Sequence, residues 1–434
     1  MQQAIGRYRW TICSLIFFAT TINYLDRQVI SLIVEDYLTP EFKWTETDYA
    51  NITVAFQLAY ALAMIGAGRL IDKLGTKAGY ALSLFLWSVA AMCHALIRTT
   101  AGFFVARSAL GVTESGNFPA AIKTVAEWFP KKERAFATGI FNSGTNIGAI
   151  IAPLTVPAIA DEWGWRTAFV ITGAVGLIWL LLWFWLYEIP AKQKRLGKPE
   201  YEYIHSDADE TKETDEQPHT GKISWASLLS FRQTWAFATG KFLTDGIWWF
   251  YLFWLPKFLK AQYGLTKQDI AIPVAVVYTI AAVGSIFGGW LPMNLIKKGF
   301  SVFKARKTSM FIYALFVLPV VFAQLLGSMN MWYAIIIIGI AASAHQAWSA
   351  NIFTTVSDMF PKKTVGSVTG IGGMAGALGG MLIAKLAGLL FDHYKALGKI
   401  ETGYYIMFFI CGVAYLIAWL VMHALVPKMK RVEM

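Results

Sequence analysis

The sequence predicts an all-α membrane protein of twelve transmembrane helices in two parallel-repeat six-helix bundles. Three observations carry that reading: charge is scarce, uncharged stretches of membrane length recur, and one loop motif occurs twice. Of the 434 residues, 56% are hydrophobic and 15% charged, against about 25% charged in soluble domains. Thr167 to Tyr187 (TAFVITGAVGLIWLLLWFWLY) contains no charge at all and is long enough to cross the hydrocarbon core. Ser309 to Ala344 is a longer uncharged run, broken by Gly327, Ser328, Met329 and Asn330, which suits a tight turn between two spans.

Apolar length and charged punctuation place the spans at 10–33, 49–71, 79–97, 101–124, 134–157, 165–187, 232–256, 269–292, 308–326, 331–355, 366–390 and 404–426. The first apolar stretch runs past the length of a signal-peptide core into Asp26 and Arg27, so it is expected to remain as the first span. The domains expected are residues 1–187, an N-terminal six-helix bundle, 188–231, a cytoplasmic linker, and 232–434, a C-terminal six-helix bundle.

The net charge of +11 raises the question of nucleic acid. Its distribution answers otherwise: with Arg7 and Arg9 placed inside, Lys and Arg favour the cytoplasmic segments over the external loops by roughly threefold. Both termini are therefore expected in the cytoplasm, and no nucleic acid is expected as a partner. Cys13, Cys93 and Cys411 all lie in apolar stretches, so neither a disulfide framework nor a metal site is expected.

The repeated motif ties the halves together. EWFPKKERAFATGI begins at Glu127 and DMFPKKTVGSVTGI at Asp358, an offset of 231 residues that aligns Phe129 with Phe360, Pro130 with Pro361 and Thr138 to Ile140 with Thr369 to Ile371. Both copies follow an even-numbered span, so the halves share one orientation and a substrate path is expected between them.

Ionisable groups inside spans are expensive and are functional candidates. Asp26 and Arg27 lie about 24 Å along the first span at roughly 1.5 Å per residue. Arg107 shares their depth on the fourth span, and Glu114, two turns deeper on nearly the same face, lies near the midplane. Asp26, Glu114 and Arg107 form a candidate proton relay, because a carboxylate in a dry site gains proton affinity and a neighbouring Arg removes it again on approach. Permanent buried ion pairs used for packing are the alternative.

The second half offers Lys241 and Asp245, one turn apart on the seventh span, and His345, Gln346, Trp348 and Asn351 on the tenth. Such a set suits a polyhydroxylated anion: a cation for the carboxylate, amides and imidazole for hydroxyls, indole for sugar C–H faces. A helix-capping role for His345 stays open. Trp248, Trp249, Phe250, Tyr251 and Trp254 suit an aromatic belt and packing, with one or two available to ligand. The glycines of the fifth and eleventh spans, among them Gly144, Gly148, Gly376, Gly379 and Gly380, allow helices to approach closely.

GRLIDKLGTK at Gly68 to Lys77 resembles the signature between the second and third helices of the major facilitator superfamily, which implies that fold. Gly68, Asp72, Lys73 and Gly75 would form a conformational latch, with Asp72 among helix ends and basic residues on the cytoplasmic side. The matching GWLPMNLIKKG at Gly289 to Gly299 lacks the acid. NYLDR at Asn23 to Arg27, ARSALGVTESGNFPA at Ala106 to Ala120 and EWFPKKERA at Glu127 to Ala135 narrow the resemblance to the anion:cation symporter family, over essentially the whole chain. That resemblance implies proton-coupled carboxylates at Asp26 and Glu114, a substrate-facing cation at Arg27, Arg107 as partner of Glu114, and site-lining hydroxyls at Tyr24 and Tyr60. The elements around His345 to Asp358 look like those of hexuronate transporters. Thr145 and Gly373 stand where galactonate carriers place Gln and Asn, which weighs against galactonate.

The expectation is thus a proton-coupled symporter of a small anionic sugar acid, a glucuronate or galacturonate, working by alternating access in a bacterial inner membrane. Its partners would be that acid, protons and the lipid bilayer, its expected assembly a monomer, and no cofactor is expected. Another organic anion, anion exchange or a transporter-like sensor are the alternatives. No HExxH, GxSxG or P-loop pattern suggests an enzyme.

Overall fold

The computed structural model describes residues 5–44, 46–206, 224–265, 267–428 and 430–432. The segment 207–223 of the expected linker lies outside the described residues. Among the described residues every regular element is helical. The long helices are α1 (Tyr8–Ile33), α2 (Glu46–Leu74), α3 (Thr76–Cys93), α4 (Thr100–Glu114), α5 (Asn117–Trp128), α6 (Lys131–Trp163), α7 (Trp165–Leu186), α8 (Arg232–Tyr263), α9 (Lys267–Lys297), α10 (Val302–Val317), α11 (Met331–Met359), α12 (Val365–Ala396) and α13 (Ile400–Leu425). Helices α4 and α5 together make one span broken at Ser115 and Gly116, and α10 continues through further helical turns to Met329, so the twelve expected spans all appear.

Nine of these stretches, among the described residues, are long and apolar enough to cross a membrane on composition alone. The three left out are α1, α4 with α5, and α8. These carry Asp26 and Arg27, Arg107 and Glu114, and Lys241 and Asp245. α4 and α5 are each too short to qualify because their span is broken, and His345 and Gln346 lie on α11, which does qualify.

Contacts group the chain into two compact units, Met1–Leu228 with Phe360–Ile371, and Leu229–Met359 with Gly372–Met434. In the first, α1 packs on α6 because Gly144 and Gly148 leave room: a Cβ there would stand 2.7 Å from Phe17 O and 2.6 Å from Thr21 O. Gly111 of α4 does the same for α2, where a Cβ would stand 2.5 Å from Phe56 O, and Gly173 of α7 for α3, 2.7 Å from Ser88 O. In the second unit α8 meets α12 at Gly376, Gly379 and Gly380, and α9 meets α11 where Gly284 and Gly288 face Ser343 and Ala347.

The first unit is closed at one end by buried aromatic packing of Trp44, Phe103, Trp165 and Phe169, with Trp44 Nε1 donating to Thr100 Oγ1 at 2.9 Å. At the other end the short helix Lys198–Ile204 is docked by Glu200, whose carboxylate accepts from the Tyr8 and Arg9 backbone N–H groups at 3.0 and 3.1 Å. Arg9 bridges from Glu200 (3.0 Å) to Glu133 (2.8 Å). This part of the expected linker is therefore folded onto the first unit. Nearby, Lys77 bonds Glu188 at 2.8 Å and holds that half-buried carboxyl below its usual range.

Candidate functional site

In the first unit α1 and α4 bring together the charges that the sequence singles out. Arg27 donates from Nε and Nη2 to one oxygen of Glu114 at 3.0 and 2.9 Å. Its guanidinium lies against the rings of Tyr24, Phe56 and Tyr60, 4.7, 5.2 and 4.8 Å from their centroids. An arginine is suited to such a cage because its planar, weakly hydrated cation stacks on π faces. The Arg27 side chain keeps 14% exposure whereas Glu114 has none. The cation is the accessible member, and the carboxylate stands behind it.

The break between α4 and α5 serves this placement. It frees the Thr113 carbonyl, which accepts from Ser83 Oγ at 2.7 Å, and a Cβ at Gly116 would collide with that same Ser83. A backbone group released inside a membrane span is thus satisfied by a neighbouring helix.

Arg107 does not pair with Glu114, contrary to the expectation. Seven residues on one helix separate them by about 10 Å of rise, beyond the reach of a direct contact along the helix, and Arg27 from α1 fills the gap. Arg107 instead donates to the Arg27 carbonyl at 3.1 Å and lies over Phe56 at 4.8 Å. Its Nε and Nη1 are buried without a hydrogen-bond partner, as are both carboxylate oxygens of Asp26. The polar surroundings of Asp26 are Thr172, Glu114 and Arg107. Asn23, absent from the sequence-level site, lies 3.5 Å from Arg27 Nη2 through its side-chain oxygen. Phe56 was equally invisible: nothing in a phenylalanine within an apolar span marks it as a wall of the site.

The second unit assembles a different site. Lys241 and Asp245 pair at 2.7 Å within one turn of α8, and Lys241 lies 4.0 Å over the Phe353 ring centroid. His345 stacks on Trp248 at 5.2 Å with 8° between planes, its Nδ1 meets Tyr415 Oη, and Lys241 is its charged neighbour. Gln346 is buried beside it in the chain. Trp248, expected in the belt, is thus a half-buried wall of this cluster.

Two expected site residues are fully buried in this structure, and Trp348 Nε1 and Asn351 Oδ1 have no hydrogen-bond partner among the described residues. Trp348 is fully buried with its ring edge against Tyr415. Asn351, also fully buried, donates to Gly288 O at 2.7 Å and Ala347 O at 2.9 Å, tying α11 to α9 where the two come closest.

At the latch, Asp72 accepts from the Gly366 and Ser367 N–H groups at 3.2 and 2.6 Å and from Ser367 Oγ at 2.6 Å. It thereby caps the first turn of α12 and meets its positive dipole end. The cation that reaches it is Lys123, at 2.9 Å; Lys73, the residue expected there, is exposed. Gly68 lies against the Gly366 backbone, where a side chain would collide, and Gly75 adopts φ 76°, which lets α2 end and α3 begin without a linker.

The Major Facilitator Superfamily model matches residues 16–384. A hexuronate transporter of Escherichia coli K12 is 35% identical over 386 residues, 88% of each chain. A galacturonate transporter of Dickeya chrysanthemi is 36% identical over 295 residues, 68% of this chain and 84% of its own. Among solved structures, the proton:xylose symporter XylE superposes with a TM-score of 0.76 at 15% identity, over 98% of this chain and 97% of its own, a likeness of fold. With twelve helical spans and these matches, the chain belongs to the Major Facilitator Superfamily, as a multi-pass membrane transport protein that is not an enzyme.

Proposed function

We propose that this protein imports a hexuronate, of the glucuronate or galacturonate class, together with protons, by alternating access across a bacterial inner membrane with both termini in the cytoplasm. The observation that carries the reading is the Arg27–Glu114 pair: an accessible cation in an aromatic cage, neutralised from behind by a fully buried carboxylate. Protonating Glu114 removes the competing anion and frees Arg27 for a substrate carboxylate. Binding a proton and binding the acid then favour each other. Lys241, Asp245, His345 and Gln346 are the groups assigned to the substrate's hydroxyls and carbonyl, and a latch at Asp72 opens as the protein turns inward.

The relatives named for hexuronate and galacturonate support that substrate class over other organic acids. The test uses proteoliposomes and labelled glucuronate. Accumulation should follow an inward pH gradient, and Glu114→Gln should abolish accumulation while substrate counterflow continues. Wild-type uptake indifferent to the gradient sinks proton coupling; loss of both activities in a folded variant makes Glu114 a packing residue.

A further inference from the structure

His94 closes the last turn of α3 and is fully buried. Its Nδ1 is held by the Ala90 and Ala91 carbonyls at 2.8 and 3.2 Å. Carbonyl oxygens only accept, so the proton of the neutral ring sits on Nδ1 and Nε2 carries a lone pair. That Nε2 has no hydrogen-bond partner. The ring is fixed flat on Phe169 of α7, 4.8 Å between centroids and 17° between planes.

Arg107 is the charged group facing His94. It in turn faces Asp26 and Arg27 of α1, Tyr49 of α2 and Glu114 of its own helix. From α7 the neighbours are Phe169 and, one turn on, Thr172, which adjoins Asp26. The unpartnered buried atoms therefore form a complementary set: an acceptor on His94, two donors on Arg107 and two acceptors on Asp26. Leaving five such atoms unmatched would be costly, whereas together they offer the two to four partners that a buried water requires.

We propose that His94 is a proton-relay residue that carries protons between the extracellular end of α3 and Asp26, apart from the substrate path; this rests on the proton coupling and orientation proposed above. A proton from external water adds to Nε2, giving an imidazolium, and leaves from the same nitrogen through intervening water to an Asp26 carboxylate oxygen. The Nδ1 proton stays on the ring throughout, donated to the Ala90 carbonyl. Arg107 repels the imidazolium, so the proton is handed on instead of held, and its two unpartnered donors can hold the water that lies between. The aromatic cap of Trp44, Phe103 and Trp165 seals the route from bulk solvent except when that end loosens.

The experiment compares wild type, His94→Gln and His94→Phe in proteoliposomes, reading glucuronate counterflow, gradient-driven accumulation and proton entry by an internal pH dye. Gln keeps a polar ring-sized group that cannot hold an extra proton, and Phe keeps the stack on Phe169. Both variants should retain counterflow within about twofold of wild type, with proton entry and initial accumulation rates at least about tenfold lower and a flattened dependence on external pH. Unchanged proton entry and pH profile in both variants would overturn the relay, and so would parallel loss of counterflow and accumulation in well-folded protein, which makes His94 a packing residue. Absence of proton entry in the wild type fails the coupling reading itself, and the relay with it.

Discussion

Each unit buries a cation against a carboxylate, but the two pairs are built differently. Arg27 and Glu114 belong to different helices, 87 residues apart. Lys241 and Asp245 sit four residues apart on α8. Movement of α1 against α4 changes the first distance directly, whereas no rigid movement of α8 changes the second. A pair that spans two helices can convert conformation into a change of protonation, and one within a helix cannot. Under the proposed function the Arg27–Glu114 pair is thus the one suited to energy coupling, and Lys241–Asp245 the one that presents a fixed dipole to substrate; the second unit's other buried pair, Arg306–Asp358, does span two helices.

The largest expected effect comes from the exposed cation. Arg27→Lys removes the planar stack on Tyr24, Phe56 and Tyr60 and the two-nitrogen grip on Glu114, and should lower both uptake and counterflow about 100-fold. Near-normal transport by this variant would break the comparison, because a movable point charge would then suffice. In the second unit Asp245→Asn should shift KM for glucuronate about tenfold while accumulation still follows the pH gradient. Loss of coupling there would show that the same-helix pair also handles protons. Asp72→Asn, which replaces one acceptor oxygen by a donor facing the α12 N–H groups, should cost about 1 kcal/mol of capping. A fivefold or smaller change in turnover with unaltered KM would fit. The smallest effect lies outside the bilayer, where Arg166 and Trp165 bond Glu41 at 2.6 and 2.7 Å and lower its proton affinity. A depressed carboxylate stabilises the fold above its unfolded pKa and stops doing so as pH falls through the folded one. Glu41→Gln should therefore lower Tm by only a degree or two near neutrality and match wild type in acid.

Much of this was legible in the amino-acid order, for identifiable reasons. A span announces itself because hydrocarbon tolerates few charges, so Asp26, Arg27, Arg107, Glu114, Lys241 and Asp245 stand out as exceptions. Their partners do not. That Arg27 is the cation that meets Glu114 depends on how α1 sits against α4, which the order of residues does not state. The break at Ser115 and Gly116 went unread although a Ser-Gly pair is a kink signal, because the apolar residues on either side fit one continuous span. Nor does the sequence show how Asn351 is held: its amide nitrogen binds backbone carbonyls at a helix crossing. His94 drew no notice at all, since a single histidine at a helix end carries no pattern until its neighbours are known.

The glycine contacts say something about how the duplication is recorded. Gly148 and Gly379 hold equivalent positions, each against the first helix of its own half. At the next crossing the small residues are shared differently: Gly111 of the fourth span faces α2, whereas Gly284 and Gly288 of the eighth face the tenth and Gly339 of the tenth faces Ile280 of the eighth. A gap between two backbones requires a missing side chain on only one of them, so drift can hand that duty across the interface while the spacing stays put. A residue at one crossing is therefore best compared with the partner of its counterpart in the other half as well as with the counterpart itself.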